Sequence, residues 1–93
     1  MVNAVVLIQC EVDEIPEAAE AIAALDGVSE VYSVAGEFDL VAIIRVQHQD
    51  DLARVIPGGV AKVSGVVRTE TLIAFQVYSR HDLEAMFAVG FES

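Results

Sequence analysis

Two short runs, Val5-Val6-Leu7-Ile8 and Leu40-Val41-Ala42-Ile43-Ile44, are apolar at every position. Successive side chains of a strand point to opposite faces, so each run puts apolar groups on both sides of any sheet it joins. Such a sheet needs cover on both faces. A chain of 93 residues makes one compact domain, with a large surface relative to its core. With 55% hydrophobic residues, there is more apolar material than a monomer of this size can hide. The chain is therefore expected to work as an oligomer.

The remaining elements follow from periodicity and punctuation. Residues 2–10 are rich in valine and isoleucine and too short for a typical helix, and they predict a first strand. From about residue 16 to 25 an amphipathic helix is expected. Pro16 suits its first turn, Ile15, Ala18, Ala19, Ile22 and Ala23 keep helical spacing, and Asp26-Gly27 ends it. Residues 28–35 and 38–46 predict two strands joined tightly by Gly36-Glu37, an antiparallel hairpin. A second helix is expected from near Asp50, with Leu52, Val55, Ile56, Val60 and Val63 on one side. Pro57-Gly58-Gly59 should kink or break it. A fourth strand is expected over 66–78. Ser79-Arg80-His81-Asp82 then resembles a capping box, opening a short helix with Leu83, Met86 and Phe87 on one side that stops by Gly90.

Strand, helix, strand, strand, helix, strand, joined by two right-handed crossovers, predicts an α+β ferredoxin-like βαββαβ sandwich over residues 1–78, with a C-terminal helical extension over 79–93. Its two long helices cover one face of the sheet. A second copy is the economical cover for the other, giving a two-fold dimer that associates through the sheet.

Charge narrows the function classes. Fifteen acidic residues against 5 basic ones give a net charge of −10. The first basic residue is Arg45, so no basic stripe faces a phosphate backbone and direct nucleic-acid binding is not expected. Anionic membranes are disfavoured for the same reason. Met1-Val2-Asn3 lacks the basic start of a signal peptide, and the apolar runs fall far short of the roughly 18 residues of a membrane span. Cys10 is the single cysteine, so no intrachain disulfide forms. These features predict a soluble cytoplasmic protein. No His/Cys pattern has metal-ligand spacing, and no P-loop or Rossmann glycine loop is present. No cofactor, metal or catalytic group is expected.

The stretch Ala35-Gly36-Glu37-Phe38-Asp39-Leu40 resembles the Gly-x-aromatic-Asp hairpin of the Lrp/AsnC ligand-binding domain, known as the RAM domain. Gly27-Val28, and Gly65-Val66 followed by Arg68-Thr69-Glu70-Thr71, agree with it in order and spacing. The resemblance covers roughly residues 2–77. It implies a stand-alone RAM protein without the helix-turn-helix half of full-length members, forming dimers that assemble further. It also implies an amino-acid effector bound between dimers, near the loop joining the second and third strands. Carried over, the ligand-binding residues are Gly36, Glu37, Phe38 and Asp39, with Thr69 and Thr71 from the fourth strand. Full-length Lrp/AsnC regulators are then candidate partners.

The residue chemistry suits this reading. Glycine lets backbone amides approach a carboxylate, and Asp39 offers oxygens to an α-ammonium group. Plainer roles stand beside these. Gly36 suits a turn, Asp39 suits a hairpin cap, Glu37 suits a solvated loop tip and Phe38 suits packing. Thr69 and Thr71 share a strand face with Ile73 and Phe75, as ordinary strand formers would. His48 and His81 read as helix-start residues, and Cys10 reads as a packed thiol. Glu11, Asp13 and Glu14 read as a solvated loop. Two other classes share the architecture: a small dimeric α+β-barrel enzyme of the cofactor-free monooxygenase or isomerase type, and an ACT-like regulatory domain.

Overall fold

A computed structural model of the chain describes residues 1–78 and Arg80. Four strands, β1 (Val2–Cys10), β2 (Val28–Ser33), β3 (Leu40–Val46) and β4 (Val66–Ile73), form one sheet in the order β2-β3-β1-β4. Every pairing is antiparallel. Two helices, α1 (Ile15–Ala23) and α2 (Asp51–Val55), pack on one side. This is the ferredoxin-like α+β arrangement the element order predicts. The helix with Leu83, Met86 and Phe87 lies outside the described residues.

The alternation of β1 divides the sheet. Ala4, Val6, Ile8 and Cys10 are buried beneath the helices, together with Leu40, Ala42, Ile44 and Val46 of β3. Ala18 and Ile22 of α1 close over them, as do Leu52, Val55, Ile56 and Val60 of the second helical segment. Fully burying a side chain such as Ile8, Ile22, Leu40 or Ile44 contributes about 1.5–3 kcal/mol. No polar or charged side chain is buried among the described residues.

The opposite face carries Val5 and Leu7 of β1, paired with Ile43 and Val41 of β3 and with Leu72 and Glu70 of β4. Among the described residues no helix lies over it.

Four boundaries differ from the sequence reading. Helix α1 starts at Ile15, after a 3-10 turn over Val12–Glu14, and ends at Ala23. Strand β2 stops at Ser33 and β3 starts at Leu40, so the hairpin loop spans residues 34–39 and is wider than a tight Gly36-Glu37 turn. A hydrogen bond from the Val34 amide to the Asp39 carbonyl, 2.9 Å, closes that loop. Helix α2 has five residues; the Pro57-Gly58-Gly59 break follows, then a 3-10 turn over Val60–Lys62. A Cβ at Gly58 or Gly59 would sit 2.6 Å from a carbonyl oxygen of α2. Strand β4 ends at Ile73, well short of residue 78, where its pairing with β1 ends at Ala4. The last bond of that ladder runs from the Ala74 amide to the Asn3 carbonyl.

Candidate functional site

The β2–β3 loop sits at one corner of the sheet, beside the end of β1 and the start of β4. Gly36 makes the loop possible. Its φ of +134° lies where a side chain is strained, and a Cβ there would meet nothing within 4 Å. The backbone is bent and the space above it is open.

Asp39 is anchored. The Glu11 amide donates toward β4, to the Gly65 carbonyl, so the Cys10 amide faces the β3 side, where β3 begins only at Leu40, opposite Ile8. The Cys10 amide donates to Asp39 Oδ2 at 2.8 Å, and the Asp39 amide donates to the Ile8 carbonyl at 2.9 Å. The carboxylate thus joins the start of β3 to the end of β1. Its other oxygen accepts no hydrogen bond among the described residues. The Cys10 thiol beneath has its pKa raised, first by burial and then by the negative charges of Asp39 and Glu14. A thiol held neutral and buried packs and does not react.

Glu37 and Phe38 meet a residue the sequence reading left unassigned. Arg68 of β4 donates from Nη2 to Glu37 Oε1 at 3.1 Å and from Nε to Gln9 Oε1 at 3.3 Å. Its guanidinium carbon lies 4.8 Å from the centre of the Phe38 ring, over its face. Three neighbours from the loop and β1 therefore hold one guanidinium at the corner. Two signals pointed to it. Arg68 is a cation in a chain with only 5 lysines and arginines. Strand alternation also gives it the face opposite to Thr69 and Thr71.

Those two threonines are not brought to the loop within one copy. Thr69 pairs with Ile8 and Thr71 with Val6, both buried, so the threonines stand on the helix side of the sheet. Thr71 lines a cavity of about 650 Å³ with Met1, Val2, Gln49, Ile73, Ala74 and Phe75. This cavity is away from the 34–39 loop and includes no histidine. His48 is exposed, and its amide donates to Asp51 at the start of α2. His81 lies outside the described residues. Among the described residues no group of three His, Cys, Asp or Glu side chains is placed to hold a metal ion.

By sequence, residues 3–83 match the family described as the Lrp/AsnC ligand binding domain. The chain belongs to that family. Three proteins place the Lrp/AsnC domain among its relatives. An uncharacterized HTH-type transcriptional regulator of Pyrococcus horikoshii is 37% identical over 59 residues, which is 63% of this chain and 39% of the regulator. The chain thus spans about two fifths of the curated relatives it matches. The crystal structure of TTHA0845 from Thermus thermophilus superposes with a TM-score of 0.81 at 45% identity, covering 86% of this chain and all of that one. A transcriptional regulator of Neisseria meningitidis, crystallised as a complex with L-Met, superposes with a TM-score of 0.75 over 85% of this chain and 53% of its own. At 11% identity that likeness is one of fold alone. The Lrp/AsnC domain described here has no helix long and apolar enough to cross a membrane among its described residues.

Proposed function

We propose that this Lrp/AsnC domain is a regulatory sensor, not an enzyme, that binds a small effector, an amino acid, at the 34–39 loop. The match of residues 3–83 to a ligand-binding family carries the reading. The corner chemistry supports it: open space above Gly36, and a carboxylate oxygen of Asp39 left for an ammonium group. The N. meningitidis regulator, crystallised with L-Met, makes amino acids the class to try first.

The working unit is a dimer closed through the Val5, Leu7, Val41 and Ile43 face, assembling further into a higher oligomer. Thr69 and Thr71 then contribute from another copy. An effector held between dimers stabilises that assembly by its differential affinity for it, and the assembly is the regulatory output. Full-length Lrp/AsnC regulators are the natural protein partners. A chain of net charge −10 offers DNA no counter-charge, so the domain acts on transcription through those partners, in the cytoplasm.

The test is thermal stability of the purified protein against the proteinogenic L-amino acids at millimolar concentration. An effector at about a hundred times its Kd adds roughly 2.7 kcal/mol per site, a readable rise in Tm. A flat panel would overturn the amino-acid reading.

A further inference from the structure

We infer that Arg68 is the carboxylate anchor of this site, and that Glu37 occupies the anchor when no carboxylate ligand is bound. The inference rests on the sensor reading above and adds to it the chemical group that the corner recognises.

A free amino acid carries an ammonium and a carboxylate on the same carbon, and a site that selects it needs a partner for each. Asp39 is the group suited to the ammonium. The surrounding protein is strongly anionic, with 15 acidic residues, and repels a carboxylate unless a cation faces it. At the loop corner that cation is Arg68.

Its presentation matters as much as its charge. A guanidinium offers five N–H donors in a rigid fork, and a carboxylate binds best by meeting two of them at once. Gln9 holds Nε, and the Phe38 ring supports the plane from one side. Nη1 makes no hydrogen bond among the described residues. The Nη1–Nη2 edge is therefore held in place and only half used, by a single bond from Nη2 to Glu37. Glu37 is a weak occupant. Its side chain is 76% exposed and that of Arg68 is 50% exposed, the setting in which ion pairs contribute little. An incoming carboxylate takes both edge nitrogens and displaces Glu37 into solvent. The loop then loses its ion pair with β4 whenever effector is bound and keeps only the Phe38 contact, which couples occupancy to the position of Glu37.

The experiment compares each proteinogenic L-amino acid with its carboxamide, on the wild-type protein and on Arg68→Gln, Arg68→Lys and Glu37→Gln, with Kd read by calorimetry. The wild type should prefer the acid to the carboxamide by about tenfold or more, the scale of a charge-assisted pair. Arg68→Gln should abolish that preference. Arg68→Lys, which keeps the charge and loses the fork, should fall between. Glu37→Gln should tighten the acid by about twofold to fivefold, as release of a surface pair permits. An unchanged acid preference in Arg68→Gln overturns the anchor while leaving the sensor standing. Silence of the wild type toward every acid and carboxamide overturns both. Circular dichroism of each variant guards against misfolding, and Arg68→Lys serves as the readout if Arg68→Gln does not fold.

Discussion

At the end of β1 the Cys10 amide faces β3 beyond the last paired residue, Leu40, and the Asp39 carboxylate accepts its hydrogen bond at 2.8 Å. A half-buried amide that loses such an acceptor costs about 1–3 kcal/mol. This bond changes what a substitution at Asp39 is expected to do. Asp39→Ala should lower stability by that amount as well as abolish effector binding, so it cannot separate the two roles. Asp39→Asn can. Its side-chain carbonyl still accepts from Cys10, so urea unfolding should stay within about 1 kcal/mol of wild type. Its lost charge should weaken binding of an ammonium group by roughly tenfold, read by calorimetry. An Asn variant as unstable as the Ala variant would make the negative charge, and not the acceptor oxygen, the structural requirement. Full-strength binding by the Asn variant would remove Asp39 from the site.

The junctions between elements are where local strain is concentrated. Before β4 the chain passes under the 3-10 turn at Val12–Glu14, and the Gly65 carbonyl accepts from the Glu11 amide at 2.8 Å. Gly65 has a φ of +93°, and a Cβ there would lie 2.9 Å from the Glu14 Cβ. Gly65→Ala should therefore destabilise the protein by about 1–3 kcal/mol, because backbone strain and a contact with a rigid atom act together. Chemical denaturation checks this, and a variant of unchanged midpoint would mean that the turn shifts at no cost. The elements themselves were legible in the sequence for the same reason that they are stable: β1 and β3 carry short, continuous apolar runs rich in valine and isoleucine, α1 keeps a period of 3.6, and together they bury one continuous core. Their ends were less legible. Residues 74–78, Ala-Phe-Gln-Val-Tyr, are strand-like in composition, yet β4 stops at Ile73, where its pairing with β1 ends at Ala4. Propensity is local, and a ladder needs a neighbour. The same limit explains Arg68. Alternation alone put it on the face away from Thr69 and Thr71, but its hydrogen bonds to Glu37 and Gln9 join positions 31 and 59 residues apart. No spacing rule reports such a meeting.

For the whole molecule the deciding surface is the open face of the sheet. Val41 lies at its centre, opposite Leu7 on β1 and Tyr32 on β2, and its side chain points away from the helices. In a monomer a charge at that position remains in water and costs little. In a dimer closed through this face the same charge would be buried without a partner, a penalty of several kcal/mol. Val41→Glu should therefore keep the far-ultraviolet circular dichroism of the wild type while sedimenting as a monomer. Salt gives an independent check. Copies of net charge −10 repel across the interface, and the screening length shrinks from about 30 Å at 0.01 M to about 10 Å at 0.1 M salt. Wild-type assembly should tighten over that range, as apolar contact works against a weaker repulsion. A Val41→Glu protein that still sediments with wild type would move the interface elsewhere. Among the described residues, the exposed apolar groups along and beyond β4, Val67, Phe75 and Tyr78, offer another surface for it.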